Sequence, residues 1–198
     1  MKTRWSAATA CLLELTLPAA PAEAQFPLTF AAGPLFATVS GADVESETGF
    51  FVAVGTAIPV SGGTVALTPF VGYTQRGWKE PDGEGKLTYI DVPVFLGARF
   101  PLAGTTTFNV SAGPRVSFQL SCEFEESGGS SEDCPEDEEK SLDFGLLGKV
   151  GLRFELSASR FLAVGVSYDL GLTDIFETTS GKNHGIYVYG GLTVLVGG

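Results

Sequence analysis

The amino-acid sequence predicts an all-β fold, an eight-stranded antiparallel up-and-down barrel that crosses a membrane with its strands. Three observations predict it: apolar and polar residues alternate with a period of two, the connections alternate between long and short, and the charges outside the strands gather in the long connections. The composition agrees, since 44% of the 198 residues are hydrophobic and 18% are charged, against a usual charged share of about 25%.

The chain begins with the pattern of a secretory signal peptide, which we place at residues 1–24. Met1–Arg4 is basic, Trp5–Leu17 is largely apolar, and Ala22–Ala24 has small residues at the two positions that a signal peptidase reads. Removal of this segment on export would leave 25–198 as a single barrel domain, which we expect in a bacterial outer membrane.

We expect the chain to cross the membrane with strands, because proline and glycine residues divide its uncharged sequence into strands joined by turns. Thr48–Gln75 carries no charge and is longer than the roughly 20 residues that a membrane helix needs. Pro59–Gly63 and Pro69 interrupt it, however, and such punctuation suits a tight turn between two strands.

Eight strands can be placed in order. The first two alternate poorly, so their facing stays open, and a turn at Pro59–Gly63 separates the second from the third. The fifth alternates strictly: from Phe108 to Leu120 the even positions are mostly apolar, and the odd positions hold asparagine, serine, glycine, arginine and glutamine. The sixth repeats this pattern. The predicted runs are 28–39, 48–59, 65–76, 86–101, 106–121, 141–156, 160–172 and 184–196.

The connections alternate between two kinds. The long ones are 40–47, 77–85, 122–140 and 173–183, and the short ones are 60–64, 102–105 and 157–159. Of the charges that lie in or beside the connections, all except Arg160 belong to the long set. Outer-membrane barrels have this asymmetry, with long extracellular loops and short periplasmic turns.

Eight charged residues fall within the strands away from the strand ends, four acidic and four basic, all on the less apolar face of the alternation. We predict that they form a charge network inside the lumen in which opposite charges neutralise each other, because an unpaired charge there would be costly. A proton relay or a small pore is the alternative, although an eight-stranded interior is only wide enough for side chains. The predicted network is Asp91, Arg99, Arg115, Asp143, Lys149, Arg153, Glu155 and Asp169.

Aromatic residues on the apolar parity fall near both ends of the strands, as expected for the two interfacial girdles of a membrane barrel. A soluble lipocalin-like barrel is the competing interpretation, and it would turn its apolar parity inward. The predicted girdles are Phe100, Phe108 and Phe154 at the short-turn end and Tyr73, Phe118, Phe144 and Tyr168 at the other end.

A series of motifs in a fixed order covers nearly all of residues 25–198. The motifs are Thr48–Gly55, Phe70–Gly77, Leu87–Val94, Ala112–Arg115, Asp143–Gly148, Ser167–Ile175 and Asn183. In these the chain resembles the PorT-like outer-membrane β-barrel domains of Bacteroidetes-type bacteria. The resemblance implies the fold and the location but no catalytic residue. The ending Val196–Gly198 departs from a common barrel ending because it lacks a terminal aromatic residue.

Cys122 and Cys134 lie in the longest connection, where we expect them to form a disulfide bond, because the cell surface is oxidising. Residues 123–140 contain nine acidic residues and one lysine. Within them, Glu132, Asp133, Glu136 and Asp137 are a weak candidate for Ca²⁺ binding, but they lack the ligand order of a dedicated calcium loop. A solvated loop is the favoured interpretation.

Several chemistries are disfavoured by the sequence. A formal net charge of −11 argues against a nucleic-acid partner. No phosphate-binding or HExxH motif is present, so we expect no metal site and no cofactor. His184, Ser180 and Asp174 are near each other in sequence, but no motif joins them into a catalytic arrangement.

These observations favour a monomeric, non-enzymatic barrel that is embedded in outer-membrane lipid and has a structural or surface-interaction role through long acidic loops. An extracellular or a periplasmic protein is the expected partner. The alternatives are a component of a secretion or assembly complex, a lipid-modifying enzyme, a narrow channel, and the soluble binding barrel.

Overall fold

The computed structural model describes residues 25–40, 45–61, 64–80, 83–126, 131–134, 141–175 and 181–197. The predicted signal peptide, 1–24, lies outside them. Within these ranges, no helix is long and apolar enough to span a bilayer. The strands are β1 (Phe26–Ser40), β2 (Glu45–Thr56), β3 (Ile58–Ser61), β4 (Val65–Glu80), β5 (Gly83–Pro101), β6 (Thr106–Glu126), β7 (Ser131–Asp133), β8 (Leu142–Ser157), β9 (Arg160–Gly171) and β10 (Lys182–Val196).

Eight long strands form a closed antiparallel ring. Neighbours around the ring follow the order β1, β10, β9, β8, β6, β5, β4 and β2, and β2 pairs with β1 to close it. The short β3 continues β2 after Ala57, and β7 adds to β6 beyond the ring. The predicted fold class is therefore confirmed.

Apolar side chains point out of the ring. On β6, Val110 and Phe118 are exposed whereas Arg115 and Ser117 are buried, which is the opposite of a soluble barrel with an apolar interior. On β1, whose facing the sequence left open, Phe36 is exposed and its neighbours face inward. A wide apolar outer surface of this kind suits contact with lipid.

Three strands continue past the predicted strand ends. β4 and β5 pair as far as Glu80 with Gly83, and β5 and β6 pair as far as Gly83 with Glu126. The predicted connection 77–85 is therefore mostly strand, and so is the first part of 122–140. The sequence pattern missed this because a strand beyond the lipid can be polar on both faces, so its alternation disappears.

The lumen is filled in layers. We call the end with the long connections the outer end and the end with the short turns the inner end. The outer plug is an apolar layer at the outer end, and the inner apolar layer lies deeper, with charged residues between the two. The outer plug contains Val39, Trp78, Leu87, Tyr89, Cys122 and Ile175. The inner apolar layer contains Leu35, Ala37, Phe70, Phe95, Leu147 and Tyr187.

Candidate functional site

Five charged side chains from five successive strands of the ring meet between the two apolar layers. They are almost completely buried, at 5% exposure or less. Alternation places each of them on the inward face of its strand. We call this group the charge cluster: Arg76 on β4, Asp91 on β5, Arg115 on β6, Asp143 on β8 and Asp169 on β9.

Arg76 contacts all three carboxylates. Its Nη2 atom lies 2.7 Å from Oδ2 of Asp91 and 3.3 Å from Oδ2 of Asp169. Its Nη1 atom lies 3.4 Å from Oδ2 of Asp143. The Tyr89 ring covers the guanidinium at 4.8 Å from the ring centroid, which adds a cation–π contact.

Arg115 contacts the same three carboxylates from another strand. Its Nη2 atom lies 3.0 Å from Oδ2 of Asp143, and its Nε atom lies 3.1 Å from Oδ2 of Asp169. Its Nη1 atom is 3.8 Å from Oδ1 of Asp91. The planar guanidinium has five N–H donors, so it can serve several carboxylates at once.

The cluster holds one more carboxylate than it holds arginines, and neutral donors satisfy the remaining acceptor sites. Thr74 Oγ1 donates to Asp91 at 2.8 Å, and Asn183 Nδ2 donates to Asp143 at 3.0 Å. Thr173 Oγ1 donates to Asp143 at 2.9 Å, and the Ser117 hydroxyl donates to Asp91. The neutral donors therefore occupy acceptor sites of the carboxylates that the two arginines leave open, as buried polar groups require.

The charge cluster differs from the predicted network of eight charges. Four predicted members, Asp91, Arg115, Asp143 and Asp169, come together. Arg76 was missed because it stood at the end of its predicted strand and was counted with the connection. The alternation along the strand was a sufficient signal. Gly72 and Thr74 face inward, and Arg76, two positions further on, faces the same way.

The other four predicted members, Arg99, Lys149, Arg153 and Glu155, lie nearer the inner end. In the part of the chain that the structure describes, no carboxylate oxygen lies within 4 Å of these three cations. Lys149 instead faces the Phe95 ring at 4.3 Å, and Arg153 faces a second ring at 3.6 Å. Equal numbers of acidic and basic residues in the strands therefore do not give every charge a partner. The stagger between strands sets the height of each residue along the barrel, and only residues at similar heights can meet.

Outside the ring, the prolonged ends of β4, β5 and β6 form a small sheet together with β7. We call this sheet the outer extension: Gly77–Glu80, Gly83–Leu87, Cys122–Glu126 and Ser131–Asp133. Lys86 Nζ lies 2.9 Å from Glu84 and 3.0 Å from Glu125. The hydrogen bond from Lys86 lowers the pKa of Glu84 below its usual value. Lys79 pairs with Glu47 of β2 at 2.8 Å.

A disulfide bond joins Cys122 to Cys134 at the edge of this sheet, with Cα atoms 5.4 Å apart. The backbone N–H of Cys134 also donates to the carbonyl oxygen of Cys122 at 3.2 Å. Of the candidate Ca²⁺ ligands, Glu132 and Asp133 belong to β7, whereas Glu136 and Asp137 lie outside the described residues. Across the described ranges, no group of three or more His, Cys, Asp or Glu side chains is arranged so that it could hold a metal ion.

We predict that replacing Cys122 and Cys134 with serine loosens the outer extension and leaves the barrel intact. The bond joins two cysteines that are 12 positions apart in the sequence, so it restrains the segment between them more than the ring of strands. Limited proteolysis should cut the double variant within 123–140 faster than the oxidised wild type, with an unchanged melting temperature. Equal cleavage rates, or two freely alkylated thiols in unreduced wild type, would contradict the prediction.

Of the three residues considered for catalysis, the structure describes His184 and Asp174. His184 lies on β10 with the outward parity of Ile186 and Val188. Asp174 follows β9, and Ser180 lies outside the described residues.

Comparison with known proteins agrees with this architecture. Residues 23–177 match the family model described as outer membrane protein beta-barrel domain. Neisserial surface protein A is similar in structure, with a TM-score of 0.57 at 18% identity over 86% of this chain and 97% of that one. Ail, the attachment invasion locus protein of Yersinia pestis, is similar with a TM-score of 0.47 at 14% identity over 86% and 99%.

The outer membrane enzyme PagL is also similar, with a TM-score of 0.43 at 14% identity over 83% of this chain and 97% of that one. Likeness at such identities concerns the fold alone. No curated protein matches the sequence. Because the family model covers most of the chain, the chain belongs to the outer membrane protein beta-barrel domain family and is a small β-barrel of the bacterial outer membrane.

Proposed function

We propose that this barrel is a non-catalytic surface-interaction protein whose outer extension binds a partner that presents basic groups. The observation that carries the proposal is that the chain builds an acidic sheet beyond the apolar band of the barrel. A membrane anchor alone would need no such sheet.

The outer extension is held in shape by several independent contacts. Strands β5 and β6 pair along its whole height, from Leu87 with Cys122 to Gly83 with Glu126. The disulfide bond and the ion pairs of Lys86 join its strands further. A pre-organised surface loses less conformational entropy on binding than a mobile loop does, which favours recognition.

The charge of this surface is strongly negative. The lysines that lie on it, Lys79 and Lys86, are each engaged by glutamates. Glu123 is exposed and has no cation within 4 Å in the described ranges, and residues 123–140 carry nine acidic residues against one lysine. Such a field attracts cationic partners and speeds their association.

The interior supports a structural role over a catalytic one. All three aspartates of the charge cluster are engaged by two arginines, and the outer plug covers them from the outside.

A relationship to PorT-like barrels is a further part of the proposal and rests on the order of the motifs.

The test measures binding of a fluorescent decalysine peptide to the barrel in nanodiscs. We expect salt-sensitive binding that weakens severalfold when Glu132, Asp133, Glu136 and Asp137 become the corresponding amides. The Glu155→Gln variant is the control, since it removes a carboxylate at the inner end and should bind as wild type does. Equal binding by the amide variant, or equal binding of decaglutamate, would overturn the proposal.

A further inference from the structure

The inner half of the lumen contains a cavity of about 450 Å³. Its closed end reaches Asp91 and Arg115 of the charge cluster, and its lining continues to Gln25 and Pro59 beside the short turns. The cavity therefore opens at the inner end, toward the periplasm. Its volume falls within the range of about 300–1,000 Å³ that is usual for small-molecule sites.

Besides Arg115, three cations line this cavity: Arg99 on β5 and Lys149 and Arg153 on β8. None of these three has a carboxylate oxygen within 4 Å among the residues that the structure describes. Asp91, the aspartate at the closed end of the cavity, is already engaged by Arg76 and Arg115. The cavity thus concentrates positive charge, although the chain as a whole has a net charge of −11.

Polar atoms without partners lie beside these cations. Asn109 Oδ1, Ser111 Oγ and Arg153 Nε are buried and have no hydrogen-bond partner in the described part of the chain. Asn109 pairs in register with Arg99, and Ser111 pairs with Lys149, so cations and free polar groups stand side by side on adjacent strands. Buried polar groups are normally satisfied. Ser111 Oγ and Arg153 Nε can donate, so they point to a ligand that accepts hydrogen bonds, whereas Asn109 Oδ1 can only accept one.

The remainder of the lining is mainly apolar and aromatic. Lys149 Nζ lies 4.3 Å from the centroid of Phe95 and 5.2 Å from that of Phe70. Arg153 lies 3.6 Å from the centroid of Phe161, and Tyr189 adds a further ring. Lys149 and Arg153 therefore lie against aromatic rings, where a bound anion could keep its apolar part in contact with the same rings.

We propose that this cavity binds a small amphipathic anion, a carboxylate or phosphate group joined to an apolar body, which enters from the periplasm. The anionic group lies among Arg99, Lys149 and Arg153 and accepts hydrogen bonds from Arg153 and Ser111. The apolar body packs against Phe70 and Phe95. This site faces the membrane side opposite to the outer extension and does not depend on the function proposed for it.

The test uses 4-phenylbutanoate, phenyl phosphate and the neutral 4-phenylbutanamide as probes for isothermal titration of the barrel in nanodiscs, with empty nanodiscs as the baseline. We expect saturable binding of the anions to wild type and binding of the amide at least about tenfold weaker, because charge-assisted hydrogen bonds are lost. The ratio between the two anions identifies whether carboxylate or phosphate is the preferred group. Acetate, which lacks the apolar body, should bind more weakly than 4-phenylbutanoate.

The Arg99→Met/Lys149→Met variant should lose at least about tenfold in affinity for the anions, and Lys182→Met, which removes a cation at the outer end, should bind as wild type does. Equal affinity for 4-phenylbutanoate and its amide in wild type would overturn the proposal without any variant. Affinity for acetate equal to that for 4-phenylbutanoate would overturn its amphipathic part. Anion binding that survives in a folded double variant would overturn the assignment to these cations.

Discussion

Replacing Arg115 with leucine is expected to lower the free energy of unfolding of the barrel by about 3–5 kcal/mol, since removing one partner of a buried ion pair leaves uncompensated charge. Arg115 has a fully buried side chain and contacts all three aspartates of the charge cluster. Without it, Arg76 alone would face three carboxylates. Urea titration in micelles and the heat-dependent shift of the folded band on a gel measure the loss.

Two further variants separate charge from side-chain volume and geometry. Arg115→Lys keeps one positive charge but loses the guanidinium fork, so its destabilisation should be intermediate. Arg99 lies in the same lumen, but within the described ranges no carboxylate oxygen lies within 4 Å of it. The Arg99→Leu variant should therefore lose far less free energy of unfolding than Arg115→Leu. If both leucine variants unfold at the same urea concentration as wild type, the cluster does not stabilise the barrel.

The sequence predicts the fold well because strand alternation is a local signal. On β6, every second residue from Phe108 to Leu120 marks the lipid side, so the inward position of Arg115 follows directly from its parity. The same reasoning, extended by one step along β4, would have placed Arg76 inside. Residues that alternate within one strand can be assigned to a face without knowledge of any other strand.

Alternation within single strands does not predict which charges meet across the lumen. Asp91 and Glu155 look alike in the sequence, yet the first joins the charge cluster and the second is exposed at the inner end. The height of each residue depends on the stagger between strands, which is a property of the whole barrel. Ile175 was equally out of reach, because it enters the outer plug from a connection that has no period.

Replacing Gly113 with alanine is expected to destabilise the barrel by about 1–3 kcal/mol, the usual cost of forcing extra volume into a packed site. Gly113 lies on β6 where β5 approaches very closely. A Cβ atom there would overlap the carbonyl oxygen of Val94 and lie 3.0 Å from the Cα atom of Phe95. These are backbone atoms, so β5 itself would have to move, close to the strand segment that holds Asp91. The urea midpoint and the gel shift report the effect.

Gly148 on β8 provides the matched control. It lies in the neighbouring strand and has the outward parity, and a Cβ atom there would meet nothing within 4 Å. Gly148→Ala should leave stability unchanged or raise it by up to about 1 kcal/mol, because alanine restricts the unfolded chain more than glycine does. The two substitutions have the same chemistry, and only Gly113→Ala is expected to destabilise the barrel, so their difference isolates the close approach of β5 to β6. Two alanine variants with the same urea midpoint would show that this approach is not a constraint on the barrel.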